Sequence, residues 1–385
     1  MKTGKWAVLL VAALFVSACG DFWQPPSSSG SSGSSSTLSS GAFYIANQQT
    51  DQIAAYTIVS GALTAISGSP YSLTSAPFAI AVAPSGAFLY VGTGQGIFLY
   101  TIASGGALTL ANNSQVISSD LATTMQVVST STNSWLVESG PDLAELIAIP
   151  INPSTGVPTS TIEQKAQLPA TTVQQLVVSP DNANVFVALG AGGTEQVAFN
   201  ASNSDPFGTA SNIAVKNSAG GAQSVAVDPS SRLVYIGETD ATSGSNAGGV
   251  RVFNYSTMSE ISASPYASGG LAPYFILPLS NGDYVYVANR TVNGSTTGNI
   301  SGFAVTTTGS TYSLTALSTT ASAGTDPVSM AVDSEGNYLL VVDSGGNPDL
   351  EGYNFDTTTA GKLDSVLSSA TGTDPVQAIA IAAAP

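Results

Sequence analysis

Arg290 and Glu238 combine a reactive side chain with a position suited to chemistry on a small molecule. Arg290 directly follows the strand-like segment 284–289. Glu238 directly follows a similar segment, 233–237, about fifty residues earlier. An arginine at a strand end can bind a carboxylate or phosphate through two parallel hydrogen bonds. A carboxylate such as that of Glu238 can activate water as a general base. Both residues are therefore candidates for catalysis.

Four other polar residues near strand ends, Arg251, Asn289, Asp343 and Glu351, are candidates for ligand binding. The last two bound the segment 343–351, in which oxygen-bearing side chains are spaced through a flexible loop. Calcium accepts such ligands, but their spacing differs from that of the twelve-residue helix-loop-helix calcium loop. We therefore predict no metal and no cofactor, with calcium at this loop as the alternative.

The lack of histidine and the presence of only one cysteine restrict the chemistry that the chain can perform. The chain has no histidine and a single cysteine. A Ser-His-Asp triad, a histidine-ligated zinc, an imidazole base and a disulfide framework are therefore excluded. Any catalysis has to rest on carboxylates, arginine, lysine, tyrosine or a bound metal.

The charge balance argues against polyanionic partners. The chain carries 24 acidic and 8 basic residues, a formal net charge of −16, and only 8% of its residues are charged. An acidic surface repels nucleic acid and anionic lipid headgroups. We therefore predict no nucleic-acid partner.

The N-terminal segment has the features of a secretory signal. Lys2 and Lys5 precede the apolar run 7–16, which is too short to span a bilayer. The run leads into Val16-Ser17-Ala18-Cys19, which resembles the bacterial lipobox, whose cysteine is lipidated and becomes the new N-terminus. Acyl chains on Cys19 would anchor the protein without a transmembrane helix. We predict an extracytoplasmic lipoprotein of the bacterial cell envelope, with the outer membrane favoured because glycine follows the cysteine.

The segment after the cysteine has the composition of a tether. Residues 25–40 are almost entirely serine, glycine and proline, with no apolar content to pack. The predicted organisation is therefore a signal peptide at 1–18, a lipidated tether at 19–40 and one folded domain at 41–385.

A sequence motif that is repeated about every fifty residues, which we call the repeated phrase, indicates the fold of that domain. In its best copy, 77–91, it reads P-F-A-I-A-V-A-P-S-G-A-F-L-Y-V. A fixed period of this length means that one supersecondary unit is repeated. We align the copies at the position of Ile80, which we call the anchor of each copy. Successive anchors lie 45 to 54 residues apart. The equivalent anchors are Met125, Leu176, Val225, Ile276, Met330 and Ile379.

Each unit contains four short strand-like runs separated by glycine, proline, asparagine or serine. In the best copy these runs are 78–83, 88–92, 97–102 and 107–110. Four strands in each unit of this length are the signature of a β-propeller blade.

The two ends of the domain each supply part of one blade. The last copy stops after its first strand, and segment 41–47 matches 86–92, which lies in the second half of a copy. Pairing the two ends would close the ring without a free edge. We therefore predict an all-β, monomeric, seven-bladed β-propeller of four-stranded blades, closed by its N- and C-terminal strands. A β-sandwich or β-helix is the alternative, but neither explains why the ends complement each other.

The loops of such a propeller fall on two faces. Tight turns such as 84–86 and 280–282 lie on one face, and the loops 237–249, 288–299 and 343–351 lie on the other. We call the second the long-loop face. Long loops on one end of a rigid scaffold usually mark a binding face. The candidate residues belong to this face, although a solvated loop charge or a turn cap is the simpler interpretation of each carboxylate.

The repeated phrase resembles the lactonase-type seven-bladed propellers, including bacterial 6-phosphogluconolactonase, and the broader YVTN-type surface repeats. In the lactonases one blade carries Tyr-Val-x-Asn-Glu and the next Tyr-x-x-Asn/Asp-Arg. Segment 286–290 fits the second motif, and 235–238 resembles the first but is one residue short. The resemblance implies a lactone hydrolase in which Glu238 or a nearby carboxylate activates water and Arg290 stabilises the oxyanion.

The chain also departs from the lactonase pattern. The family's histidine is absent from 221–224, and Asp326-Pro327-Val328 stands where a proline and an arginine are usual. Because this face offers two cations, a phosphorylated sugar lactone is a poor fit. We therefore favour a membrane-tethered binding module that holds a small molecule, glycan or protein on its long-loop face. The alternative is a hydrolase acting on a neutral lactone.

Overall fold

The computed structural model describes residues 41–141, 144–318, 321–346, 348–369 and 377–384. Cys19, the predicted signal peptide and the tether lie outside these residues. In the part that is described, no helix is long and apolar enough to cross a membrane.

The described chain forms seven antiparallel sheets, each built around four strands. We number the sheets as blades 1 to 7 in chain order, and the strand nearest the ring centre is named first for each. Blade 1 consists of β31 (Ala378–Ala384), β1 (Ala42–Asn47), β2 (Gln52–Val59), β3 (Ala62–Ala65) and the short β4 (Tyr71–Ser72). Blade 2 consists of β5 (Pro77–Val82), β6 (Phe88–Thr93), β7 (Gly96–Ile102) and β8 (Leu108–Leu110), followed by a 3₁₀ turn at Asn112–Ser114. Blade 3 consists of β9 (Thr124–Ser129), β10 (Ser134–Ser139), β11 (Glu145–Ile151) and β12 (Gln164–Gln167).

The remaining blades repeat this order of strands, and two of them add a short fifth strand that pairs with the third. Blade 4 consists of β13 (Gln175–Val178), β14 (Asn184–Ala188), β15 (Thr194–Phe199) and β16 (Phe207–Ile213). Blade 5 consists of β17 (Ala222–Val227), β18 (Leu233–Glu238), β19 (Gly249–Asn254), β20 (Ser259–Glu260) and β21 (Tyr266–Ala267). Blade 6 consists of β22 (Pro273–Pro278), β23 (Tyr284–Asn289), β24 (Asn299–Thr308), β25 (Thr311–Ala316) and β26 (Ala321–Ser322). Blade 7 consists of β27 (Thr325–Val332), β28 (Tyr338–Gly345), β29 (Leu350–Phe355) and β30 (Leu363–Ser369).

The predicted seven-bladed propeller is confirmed, as is its closure. The inner strands of neighbouring blades contact one another around the full ring. Strand β31 pairs with β1, so the two ends of the domain share blade 1. This pairing leaves the inner strands of the ring without an unsealed gap.

The hydrophobic core is divided among the seven interfaces between blades. Each interface holds one cluster of buried apolar side chains, drawn from the facing sheets of two neighbouring blades. Because both faces of every blade are covered, the inner and second strands read as nearly continuous apolar runs. This burial explains why the sequence phrase is dominated by alanine, valine, isoleucine and leucine.

The tyrosine of the repeated phrase joins neighbouring blades. The hydroxyls of Tyr44, Tyr90 and Tyr286 donate to backbone carbonyls of the next blade at 2.7 to 2.8 Å. The accepting carbonyls belong to Gly106, Gly156 and Gly361.

The strand register corrects the sequence alignment of blade 1. Tyr44, rather than Ile45, is equivalent to Tyr90, so the match of 41–47 to 86–92 is wrong by one residue. The anchor of this blade is Ile381, which pairs with Ile45 as Ile80 pairs with Val91. The predicted anchor, Ile379, lies two residues away, where the inner strand bulges. A two-residue shift keeps the same side of the strand, so the alternating apolar pattern could not reveal it.

Candidate functional site

A cavity of about 480 Å³ lies at the ring centre on the long-loop face, where inner strands begin. Six of the seven blades contribute to its wall, and none of its lining side chains is charged. Backbone and side-chain amides, hydroxyls and apolar groups therefore provide its chemistry. Its polar lining side chains are Gln48, Thr123, Thr124, Gln174, Gln175, Tyr274 and Ser329.

A smaller pocket of about 280 Å³ adjoins this cavity and shares four of its lining residues. We call it the channel-mouth pocket. Its residues come from blades 1, 6 and 7 and include one charged side chain, Arg290. Its lining residues are Gln48, Tyr274, Arg290, Val328, Ser344, Gln377 and Ile379.

Arg290 is held at this pocket by its backbone and by an aromatic ring. Its N–H donates to the carbonyl of Ala272 at 2.9 Å, at the end of β23. The guanidinium carbon lies 5.1 Å from the centre of the Tyr274 ring, a cation–π distance. Asp326 Oδ2 is 3.8 Å from Arg290 Nη2, and both side chains are more than a third exposed, so water screens this pair. The guanidinium retains donors for a ligand.

Asn289 precedes Arg290 at the end of β23. It is fully buried and donates to the carbonyl of Ser268 and to Asn299 Oδ1, each at 2.7 Å. These bonds tie the end of β23 to the start of β24 and to the segment before β22. Asn289 is not among the lining residues of the pocket, and its side-chain hydrogen bonds hold the strand end that Arg290 follows.

Glu238 and Arg251 meet each other at the interface between blades 4 and 5. Glu238 is fully buried, accepts from Arg251 Nη1 at 2.9 Å and accepts from the Lys216 backbone N–H at 2.8 Å. Arg251 also donates to both carboxylate oxygens of Glu260 and stacks on Phe253. Neither Glu238 nor Arg251 lines the cavity or the pocket. Glu238 therefore does not share the lining of the channel-mouth pocket with Arg290, the residue with which the sequence grouped it.

Asp343 and Glu351 lie in blade 7 and likewise do not line the cavities. Asp343 is fully buried, and the backbone N–H of Gly324 faces its carboxyl group. Burial, followed by the charge of Glu351, raises the pKa of Asp343 to about 8. Glu351 accepts from the hydroxyl of Tyr353 at 2.5 Å. Among the described residues, no three carboxylates or other metal-binding side chains converge closely enough to hold a metal ion.

Sequence reasoning identified Arg290 but missed the neutral side chains around it. Gln48 and Ser344 lie at or just past the ends of second strands, and Tyr274 and Gln377 lie at or just before the starts of inner strands. These repeat positions converge at the channel mouth. Numbering the copies by strand end, instead of searching for charged residues, would have found them.

Comparison with solved structures supports the fold. The chain is similar to a Bacteroides uniformis protein that carries a provisional assignment as a 6-phosphogluconolactonase, with a TM-score of 0.65 and 16% identity over 89% of this chain and 98% of that one. It is also similar to the periplasmic gluconolactonase of Pseudomonas aeruginosa, with a TM-score of 0.64 and 16% identity over 90% and 99% of the two chains.

Propellers of other kinds are similar as well. The β-propeller domain of Cps50 (Swd1) from Myceliophthora thermophila matches with a TM-score of 0.57 and 12% identity, over 79% of this chain and 88% of that one. No protein-family model and no curated protein sequence matches the chain. At these identities the similarities establish a lactonase-like propeller fold, and a fold alone does not determine activity.

Proposed function

We propose that this chain is an extracytoplasmic, membrane-tethered β-propeller that binds a small polar molecule in the channel-mouth pocket. One observation carries the proposal: Arg290, the single charged side chain lining the pocket, stacks on Tyr274 beside a neutral cavity of about 480 Å³. The pocket alone, at about 280 Å³, is slightly smaller than a usual small-molecule site, whereas the adjoining cavity, at about 480 Å³, lies within the usual range.

The chemistry of the pocket selects a class of ligand. One arginine matches one carboxylate, or one carbonyl oxygen that carries partial negative charge. The amides of Gln48 and Gln377 and the hydroxyl of Ser344 suit the hydroxyl groups of a polyol or sugar. A phosphate dianion would meet a single cation in a protein whose net charge is −16. We therefore expect a sugar acid or sugar lactone, without a phosphate group, to bind best.

Calorimetric titration of the full-length protein in detergent tests the binding. The ligands are glucose, gluconate, glucono-1,5-lactone and 6-phosphogluconate. We expect gluconate or the lactone to bind more tightly than the other two. Arg290→Ala should weaken that binding by at least about tenfold, because a charge-assisted pair contributes about 1.5 to 3 kcal/mol.

Lys362→Ala is the matched control for loss of one positive charge. Lys362 pairs with Asp356 and Asp364 on the face opposite the pocket, and its removal should leave affinity unchanged. Absence of binding by all four compounds, or equal affinity in Arg290→Ala, would contradict the proposal.

Lactone hydrolysis in the same pocket is a second candidate function. Its support is the similarity to a gluconolactonase and to a provisionally assigned 6-phosphogluconolactonase. Arg290 would stabilise the oxyanion that develops at the lactone carbonyl. Two carboxylates are candidates for the base: Glu238, which the sequence suggests, and Asp326, which lies 3.8 Å from Arg290.

Acid release from glucono-1,5-lactone, measured above the spontaneous rate, tests the hydrolase. Arg290→Ala should lower the rate by about 10² to 10³ if Arg290 supplies the oxyanion contact. A rate loss in Asp326→Asn but not in Glu238→Gln would assign the base to Asp326, and the reverse would assign it to Glu238. No turnover would remove this candidate and leave the binding proposal standing.

A further inference from the structure

Glu138 occupies a repeat position that is apolar in every other blade. In each blade one residue of the second strand pairs with the anchor of the inner strand, and in blade 3 Glu138 pairs with Met125. All seven of these second-strand residues are fully buried. The residues equivalent to Glu138 are Ile45, Val91, Val187, Ile236, Val287 and Val341.

The surroundings of Glu138 are those of a hydrophobic core. Met125 and Ile147 flank it in register on the neighbouring strands, and both belong to the cluster between blades 2 and 3. Within the described residues neither of its carboxyl oxygens has a hydrogen-bond partner. A buried, unpaired carboxylate is strongly unfavourable, so the side chain is far more stable there as a neutral acid.

The charges that face Glu138 make ionisation harder still. Asp120 precedes β9, Glu163 precedes β12, and Lys165 on β12 offers the one opposing charge among the described residues. Lys165 is itself occupied by Glu145, 3.2 Å away. Burial first, and the negative charges of Asp120 and Glu163 next, raise the pKa of Glu138 to about 8.

Glu138 lies directly behind the wall of the central cavity. Its partner Met125 lines that cavity, as do Thr123, Thr124 and Pro141. The next residue, Ser139, pairs with Thr124 and accepts the Thr123 N–H at 3.0 Å. Any movement of β10 near Glu138 is therefore transmitted to the cavity wall through the inner strand.

We propose that Glu138 is a proton-operated switch in the wall of the central cavity, neutral while the wall is packed and ionised when the wall loosens. Its effect on ligand affinity rests on the proposed function, whereas the switch itself does not. The other six blades carry valine or isoleucine at this position, so the fold does not need a carboxyl group there. In blade 3 the carboxyl group therefore adds a dependence on pH that the other blades lack at this position.

The direction of the pH response follows from where the proton is bound. In the unfolded chain Glu138 loses its proton near the ordinary carboxyl pKa of about 4.3, whereas in the folded chain it keeps the proton up to a pKa of about 8. The contribution of protonated Glu138 to the stability of the folded chain is complete below the unfolded pKa of about 4.3. It declines as the pH rises above that value and is lost above the folded pKa of about 8. The stability of the cavity wall should therefore fall as the pH rises from about 4.3 to about 8, with little further change above that.

Hydrogen–deuterium exchange of the full-length protein, with no ligand present, tests the switch. After correction for intrinsic rates, exchange in 123–129 and 134–141 should rise by at least about tenfold between pH 6 and pH 9. In Glu138→Gln this rise should be absent. The equivalent segments of blade 5, 222–227 and 233–238, serve as the internal reference and should not change.

Two further variants keep the test decisive. Glu138→Val copies the residue of four other blades and should fold and show no rise even if Glu138→Gln does not fold. Glu335→Gln removes an exposed carboxylate and should behave as wild type. A tenfold rise that persists in Glu138→Val, or no rise in the wild-type protein, would overturn the switch. Because no ligand is used, failure of the binding proposal would leave this result unaffected.

Discussion

At the scale of single residues, the two arginines of the long-loop face differ in what surrounds their guanidinium groups. Arg251 makes four hydrogen bonds, to Glu260, Glu238 and a backbone carbonyl. Arg290 rests on Tyr274 beside a screened carboxylate, and in the described part of the chain its guanidinium makes no hydrogen bond. The donors of Arg251 are already used by the fold, whereas those of Arg290 are available to a ligand.

Replacement of Arg251 by methionine should therefore destabilise the protein rather than abolish ligand binding. It leaves the fully buried Glu238 carboxylate without its ion-pair partner, which costs about 3 to 5 kcal/mol. Chemical denaturation measures this loss of unfolding free energy.

Two comparisons show whether that loss comes from the buried pair. Glu238→Gln combined with Arg251→Met should be less destabilising than the sum of the single changes. Lys216→Met, which breaks the exposed pair with Glu260, should cost no more than about 1 kcal/mol. Full stability in Arg251→Met with loss of ligand affinity would instead place Arg251 in the binding site.

The sequence predicts some of these residue roles and not others. Arg290 could be identified because it directly follows a second strand beside the channel. The pairing of Glu238 with Arg251 depends on a diagonal contact between β18 and β19, which spacing along the chain does not reveal. Glu138 was overlooked because its copy of the phrase is degenerate, and its place in a buried register becomes visible only from the strand pairing.

At the scale of the strands, tyrosine hydroxyls of the repeat form hydrogen bonds between neighbouring blades. Tyr90 donates to the Gly156 carbonyl at 2.8 Å from a fully buried position. Tyr235 occupies the same repeat position, yet its hydroxyl is buried without a hydrogen-bond partner in the described residues. The same side chain is thus satisfied at one interface and unsatisfied at another.

This difference predicts opposite outcomes for one substitution at two positions. Tyr90→Phe should lower the unfolding free energy by about 1 kcal/mol, because it leaves the Gly156 carbonyl unpaired. Tyr235→Phe should be neutral or stabilising, because it removes a buried hydroxyl that has no partner. Denaturant titration distinguishes the two, and equal losses would show that the hydrogen bond contributes nothing.

The strands themselves were largely predictable from the sequence. The four predicted runs of blade 2 agree with β5 to β8 to within one residue at each end. Alternation and turn residues define a strand locally, so these boundaries follow from the sequence. The register of β31 against β1 depends on a bulge and on contacts between the chain ends, so it does not.

At the scale of the whole molecule, the protein combines an acidic composition with a neutral cavity. The net charge of −16 is distributed outside the lining of the central cavity and the channel-mouth pocket. A monoanionic ligand that approaches Arg290 therefore meets one nearby carboxylate, Asp326, whose charge is screened by water.

The proposed tether makes a prediction about cell fractionation. Cys19→Ala should move the protein from the membrane fraction to a soluble one, because a lipid anchor at Cys19 is its proposed attachment. Deletion of 25–40 should leave it membrane-bound, because the tether sets reach and not attachment. Immunoblots of separated fractions report both, and a Cys19→Ala protein that stays with the membrane would contradict lipidation.

A crystal structure of the protein soaked with gluconate or glucono-1,5-lactone would show whether the channel-mouth pocket is the binding site. We expect the ligand in the channel-mouth pocket, with an oxygen about 3 Å from the Arg290 guanidinium and hydroxyls bonded to Gln48 or Gln377. The same soak of Arg290→Ala should leave the pocket without ligand. A ligand bound elsewhere on the ring, or one that occupies the pocket equally well in Arg290→Ala, would contradict the account.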